Sequence, residues 1–177
     1  MINRNMRDKY MRKKAILVLT FALCMAGLSA CGKENKTENT SAVTEEQQTD
    51  FAVQELADKI KSEITFTDLS VIENGVAINR LYELDENKID SAAFYSNSNA
   101  TAEDIAVIKV NDESYVADVK KAFETRVADQ KESFQSYNAN EVPKLDDAVI
   151  ISGGKYVVLV VSGDSAKAKE IIGQYIK

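Results

Sequence analysis

Two spacings of apolar residues alternate along residues 50–177. Apolar residues three or four positions apart predict amphipathic helices, and short runs rich in β-branched residues predict strands. Asp50 is the predicted N-cap of the first helix. We predict helices over residues 50–62, 76–84, 112–137 and 162–176, and strands over residues 91–96, 105–110, 148–151 and 155–162. The order α-α-β-β-α-β-β-α predicts a single α+β domain with a mainly antiparallel four-stranded sheet packed with helices.

The last two strands form a clear local unit. Ser152-Gly153-Gly154 between them is typical of a hairpin turn. Residues 156–161 are apolar at every position, which is typical of a central strand covered on both faces. The first two helices can pack against the second face of the sheet, or else one sheet face contacts another protein. We favour packing by helices of this chain, because exposed apolar patches of that size are rare in monomers.

The long helix has one interruption in its apolar face. Gln130 lies among apolar side chains that otherwise follow helical spacing. One interpretation places this amide in a ligand pocket beside Tyr137. The other, which we favour, has it fasten the loop expected at residues 138–144 through backbone hydrogen bonds. If the sequence identifies a binding surface, that surface lies where the helix meets the loop, at Gln130, Phe134, Tyr137 and Pro143.

The N-terminal pattern is of another kind. A stretch with six lysines and arginines precedes an apolar run over residues 15–27, and Leu28-Ser29-Ala30-Cys31 follows. This order is typical of a secretory leader. The last four residues resemble the bacterial lipobox, in which the cysteine receives a diacylglyceryl group and the leader is then removed. We therefore predict cleavage between Ala30 and Cys31, and lipidation of Cys31.

Three segments follow from that leader. They are a signal peptide over residues 1–30, the lipidated Cys31 with a flexible polar tether over residues 31–49, and the α+β domain over residues 50–177. An uncleaved anchor is the alternative, but the apolar stretch is shorter than the roughly 20 residues that a spanning helix needs. In both cases the mature part is predicted at the extracytoplasmic face of the cell membrane, since the positive charge stays inside.

Composition excludes several classes of function. Of 22 basic and 28 acidic residues, residues 1–30 hold six and one, so the remainder has a net charge of −11. A nucleic-acid partner is not expected, because its phosphates attract basic surfaces. Histidine is absent and Cys31 is the one cysteine left after cleavage. We therefore predict no cofactor, no metal site and no catalytic residue of the Ser-His-Asp or Cys-His type.

Within residues 50–177, adjacent acids occur at four places, one of which is Glu103-Asp104. Neighbouring side chains diverge on a helix or a strand, so spacing alone does not make them an acid–base pair. We interpret the acids as a solvated surface.

Several segments together resemble a known family. They are residues 102–109 (AEDIAVIK), 129–137 (DQKESFQSY), 141–145 (EVPKL) and 154–159 (GKYVVL). The chain resembles a family of small predicted lipoproteins of clostridia-type Gram-positive bacteria, catalogued as a domain of unknown function. The resemblance implies a Gram-positive surface and one domain, and it assigns no activity or binding residue.

These observations favour a non-enzymatic binding module of the cell envelope. It is anchored in the membrane by its lipid and binds an envelope protein, a peptide or a cell-wall component. The alternative is an envelope hydrolase or transferase that uses carboxylates, because acids can act without histidine.

Overall fold

A computed structural model describes residues 50–97 and 100–177. The expected signal peptide, the cleavage site at Ala30 and Cys31, and the tether lie outside the described residues. The helices are α1 (Val53–Glu63), α2 (Asn74–Val76), α3 (Val116–Tyr137), α4 (Val142–Asp146) and α5 (Ser165–Ile172), and α2 continues into a π-helical segment (Ala77–Leu81). The strands are β1 (Ser70–Val71), β2 (Ile89–Ser96), β3 (Asp104–Val110), β4 (Val149–Gly153) and β5 (Tyr156–Val161).

The strands form one antiparallel sheet in the order β1-β2-β3-β5-β4. This confirms the mixed helical and antiparallel architecture, but the described residues contain five strands, and the prediction of four is wrong. The additional strand is β1, in which Ser70 pairs with Ser96 and Val71 pairs with Tyr95. Two residues are too few to show the alternation by which a strand is recognised in a sequence.

The entry to α1 differs from the prediction. The residue before the helix is Ala52, which provides no side-chain cap. Asp50 instead accepts hydrogen bonds from Lys109, at 2.8 Å, and from the Tyr156 hydroxyl. Phe51 stacks on the Tyr156 ring with centroids 4.0 Å apart. Asp50 therefore fastens the start of the domain to the sheet and is not an N-cap.

β4 and β5 form the predicted hairpin. Gly153 pairs with Tyr156, so Gly154 and Lys155 make a two-residue turn. Gly154 has a φ of 51°, a conformation that glycine adopts without the steric cost that a side chain would add.

Helices cover both faces of the sheet. Alternate side chains of β5 point to opposite faces, and all six positions are buried. One set packs with α1 and α5, and the other packs with the π-helical segment, α3 and α4. Helices of this chain therefore bury both faces of the sheet, as we favoured. The expectation that the first two helices share one face is wrong, because α1 and the π-helical segment lie on opposite faces.

Glu103 is buried and joins three parts of the chain. Its carboxylate accepts hydrogen bonds from the Thr67 N–H at 2.8 Å and from Lys144 Nζ at 3.0 Å. Lys144 belongs to α4, and Thr67 precedes β1. Burial alone would raise the pKa of Glu103, but the bonds from Lys144 and Thr67 outweigh it, so the pKa lies below its ordinary value. The expectation of a solvated surface is wrong for Glu103 and also for Asp104, which is buried too.

We expect Glu103→Gln to lower the free energy of unfolding by about 2 kcal/mol at neutral pH, because a charge-assisted hydrogen bond to Lys144 is lost. A lowered carboxyl pKa stabilises the fold above that pKa, and the contribution disappears as the pH falls through it. The difference between wild type and variant should therefore narrow in acid, as measured by urea unfolding across pH. Glu124→Gln, exposed on α3, is the matched control, and an equal loss in both variants would contradict this role.

Candidate functional site

The second half of α3 lines a cavity with one row of side chains. Arg126, Gln130, Phe134 and Tyr137 follow one another at steps of four, four and three residues, so they share a face of the helix. The cavity, called here the α3 cavity, has a volume of about 370 Å³. Its described lining residues are Ile72, Leu81, Ser96, Asn97, Arg126, Gln130, Ser133, Phe134 and Tyr137. It therefore lies between α3, the π-helical segment and the edge of the sheet formed by β1 and β2.

Gln130 lines this cavity and carries a buried acceptor. Its side-chain oxygen Oε1 is buried, and among the described residues it has no hydrogen-bond partner. Among the described residues this oxygen therefore makes no hydrogen bond to the segment at residues 138–144, which the favoured interpretation allowed. A buried acceptor without a donor costs free energy, and the fold bears this cost at a residue that lines the cavity.

The structure brings three of the four expected binding residues together. Phe134 is buried, whereas Tyr137 is 72% exposed, and their ring centroids lie 6.2 Å apart. Pro143 is exposed and is not among the residues that line the cavity. The segment at 138–144 is also not a simple loop, because Pro143 lies in the first turn of α4, where its missing N–H removes no helical hydrogen bond.

Arg126 is a candidate site residue that sequence reasoning missed, since it lines the cavity. Its Nε donates to Asp104 Oδ2 at 2.9 Å, and its guanidinium carbon lies 5.4 Å from the centre of the Tyr82 ring. The Tyr82 hydroxyl donates to Asp104 Oδ1 at 3.3 Å. One available signal was the helical step of four residues from Arg126 to Gln130. The other was the position of Asp104 at the start of an apolar strand.

Burial governs the protonation of this cluster. Burial raises the pKa of Asp104 above its ordinary value, and the Arg126 guanidinium opposes that rise. Burial, followed by the charge of Asp104, raises the pKa of Tyr82 well above its ordinary value. The Tyr82 hydroxyl therefore keeps its proton at neutral pH and acts as a donor. Asp104 occupies the Nε donor of Arg126, and Tyr82 is a further hydrogen-bond partner of the guanidinium.

Arg126 also lines a second, more open groove of about 640 Å³. The π-helical segment and the turn after it form one wall, and the first half of α3 forms the other. Glu83 in that turn has a φ of 51°, which is uncommon for a residue with a side chain and is often found at functional positions. Arg80 and Lys121 are offset here by acidic neighbours, which include Glu83 and Asp118.

The α3 cavity combines groups that suit binding of a neutral polar ligand. Arg126 supplies donors, Gln130 supplies an acceptor, and Phe134 with Tyr137 supplies an apolar surface. Among the described residues, no group of three or more histidine, cysteine or acidic side chains is placed to hold a metal ion. None of the described helices has the length and apolar character required to span a bilayer.

The fold and this cavity define a mixed helical and antiparallel domain with one long helix across a five-stranded sheet. Residues 62–162 match the family described as Domain of unknown function (DUF4358), and the chain belongs to that family. The matched segment includes every described residue of the α3 cavity. No curated protein and no solved structure matches the chain. The resemblance to a domain of unknown function is thereby confirmed.

We expect Gln130→Met to leave the free energy of unfolding unchanged or to raise it by about 1 kcal/mol, because an unsatisfied buried acceptor is removed. Gln135→Met is the control, since Gln135 is exposed on the same helix and its replacement should change stability by less than about 0.5 kcal/mol. Urea denaturation measures both. A loss above about 1 kcal/mol in Gln130→Met alone would show that the amide is structurally bonded.

Arg126→Met should lower the free energy of unfolding by about 3 kcal/mol at neutral pH, since Asp104 is left as a buried charge without its cation. A carboxyl whose folded pKa is raised binds its proton more readily in the folded state, so stability is lost as the pH rises toward that pKa. The variant should therefore recover stability as the pH is lowered. Its difference from wild type narrows because the variant gains stability, whereas in the Glu103 experiment the wild type loses it. Urea unfolding across mildly acidic pH tests this, with Lys121→Met as an exposed control on α3. A loss of unfolding free energy that does not change with pH would contradict the role of Asp104 as an unpaired buried charge.

Proposed function

We propose that the protein is a membrane-anchored extracytoplasmic lipoprotein that acts as a non-enzymatic binding module of the cell envelope. The leader pattern, with Cys31 after Ala30, supports lipidation at Cys31 and attachment to the outer face of the cytoplasmic membrane. The domain binds an envelope protein, a peptide or a cell-wall component. A clostridia-type Gram-positive source is part of the same proposal and rests on the sequence resemblance.

The observation that carries the binding role is the α3 cavity. Gln130 and Arg126 lie in its wall, and Gln130 Oε1 is buried without a hydrogen-bond partner among the described residues. The exposed ring of Tyr137 extends the same surface. Concave sites that combine apolar walls with a few oriented polar groups are typical of ligand binding.

A carboxylate-dependent envelope hydrolase or transferase is the second candidate. The observation that favours it is Asp104, a buried carboxyl whose pKa is raised by burial and which contacts the cavity residue Arg126. Against it, both oxygens of Asp104 already accept hydrogen bonds, one from Tyr82 and one from Arg126. A base or nucleophile needs an oxygen directed at the substrate, so we place binding first.

Photocrosslinking in intact cells tests the binding role. A photoreactive benzophenone amino acid at Tyr137 should capture a defined partner, and capture should fall when Gln130→Met is added. The same probe at Gln135, exposed on α3 outside the cavity, is the control. Mass spectrometry identifies the product. Equal capture at both positions would contradict binding at the cavity. Capture at Tyr137 that is unchanged by Gln130→Met would contradict it as well.

Cys31→Ala tests the anchor independently. The variant should remain a precursor without lipid, whereas the wild-type chain should end at an acylated Cys31. Intact-mass analysis of the membrane fraction measures both. A wild-type chain that keeps residues 1–30 and an unmodified Cys31 would overturn the location without bearing on the cavity.

A further inference from the structure

β1 is one of the two edge strands of the sheet, and its register leaves the backbone N–H and C=O of one residue facing outward. The Ile72 N–H donates to the Phe94 carbonyl at 3.1 Å, so Ile72 and Phe94 form a hydrogen-bonded pair. In an antiparallel ladder such pairs alternate with pairs that exchange no bonds. Ser70 is therefore bonded to Ser96, and the N–H and C=O of Val71 point away from β2. Val71 is 72% exposed.

The open edge is short and adjoins the α3 cavity. Beyond β1, the Asn74 side chain donates to the Ala92 carbonyl at 2.9 Å, and α2 begins there. This closes the edge of β2 on that side. Ile72, which directly follows Val71 on that same side, lines the cavity wall. One outward backbone donor and acceptor therefore stand directly beside the cavity.

We propose that Val71 and the α3 cavity together bind an extended peptide segment, which adds to β1 as a further strand. The inference rests on the proposed binding function and names its ligand class. The peptide backbone pairs with the N–H and C=O of Val71. A side chain of the peptide on the face shared with Ile72 enters the cavity, where it contacts Gln130 and Arg126. Strand addition at a free edge, with pockets for alternate side chains, is a general mode of peptide recognition.

Charge favours a neutral segment over a carboxylate-bearing ligand. Among the described residues that line the cavity, Arg126 alone is charged, and Asp104 neutralises it. The chain after residue 30 is strongly acidic and repels anions. A neutral polar side chain can contact Gln130 and Arg126 in the cavity without adding a net charge, while the peptide backbone pairs with Val71.

The edge and the cavity can be tested separately by substitution. Val71→Pro removes the outward N–H and leaves the bonds of Ser70 and Ile72 to β2 intact, because proline is tolerated at such edge positions. Val71→Thr keeps the N–H and the β-branched shape, and is the matched control. Gln130→Met removes the acceptor in the cavity, with Gln135→Met as its control.

The full-length chain in detergent micelles is screened against a displayed library of random peptides of about ten residues. An enriched peptide is synthesised, and its dissociation constant is measured by fluorescence anisotropy. We expect Val71→Pro and Gln130→Met each to weaken binding about tenfold or more, and both controls to stay within about twofold. N-methylation of the one peptide amide that donates to the Val71 carbonyl should weaken binding, and N-methylation of the amides next to it should not. This readout holds even if Val71→Pro fails to fold.

The outcomes separate this inference from the proposed function. Peptides that depend on Gln130 but bind Val71→Pro and Val71→Thr equally would overturn strand addition and leave cavity binding in place. Failure to enrich any peptide would overturn the peptide class, and the crosslinking experiment would still test the binding role. Binding of N-acetylglucosamine oligomers in place of peptides, or concentration-dependent dimers abolished by Val71→Pro, would likewise overturn it, in favour of a glycan or a second copy.

Discussion

Burial of β3 and β5 on both faces is the constraint on which the rest of the domain depends. Apolar strands of this kind are stable only where both faces are shielded from water. α1 and α5 shield one face, while α3, α4 and the π-helical segment shield the other. The layered arrangement therefore follows from two strands, and it obliges α3 to cross the sheet with its apolar row, including Phe134, turned inward.

A polar interaction ties α3 to that face. Asp104 begins β3 and is buried, and a buried carboxylate requires a partner. Arg126 supplies it from α3, and Tyr82 supplies a second bond from the turn after the π-helical segment. The same guanidinium lies in the walls of both the α3 cavity and the neighbouring groove. The contact that joins helix to strand is therefore also part of the candidate binding surface.

The cavity lies at the edge of the sheet, where the shielding by the helices ends. α3 extends past the strands to Tyr137, whose ring is largely exposed, and β1 leaves Val71 at the open edge. A binding surface at the rim of the sheet requires no opening of either core. The family match over residues 62–162 contains this whole region, whereas α5 lies outside it. Val71 can therefore be replaced without removing a core side chain, whereas Arg126 and Phe134 both line the cavity and stabilise the fold.

Residue spacing by itself determined most of the helices and strands, because an element several residues long repeats its burial pattern in the sequence. It also singled out Gln130, a polar residue within an apolar row. It did not reveal β1, which is too short to repeat, or α4, where Pro143 resembled a loop residue. Only the tertiary structure decided that Asp104 meets Arg126 and that Gln130 Oε1 has no partner among the described residues. The physical reason is that such pairings depend on which elements pack together, and local periodicity carries no record of that packing.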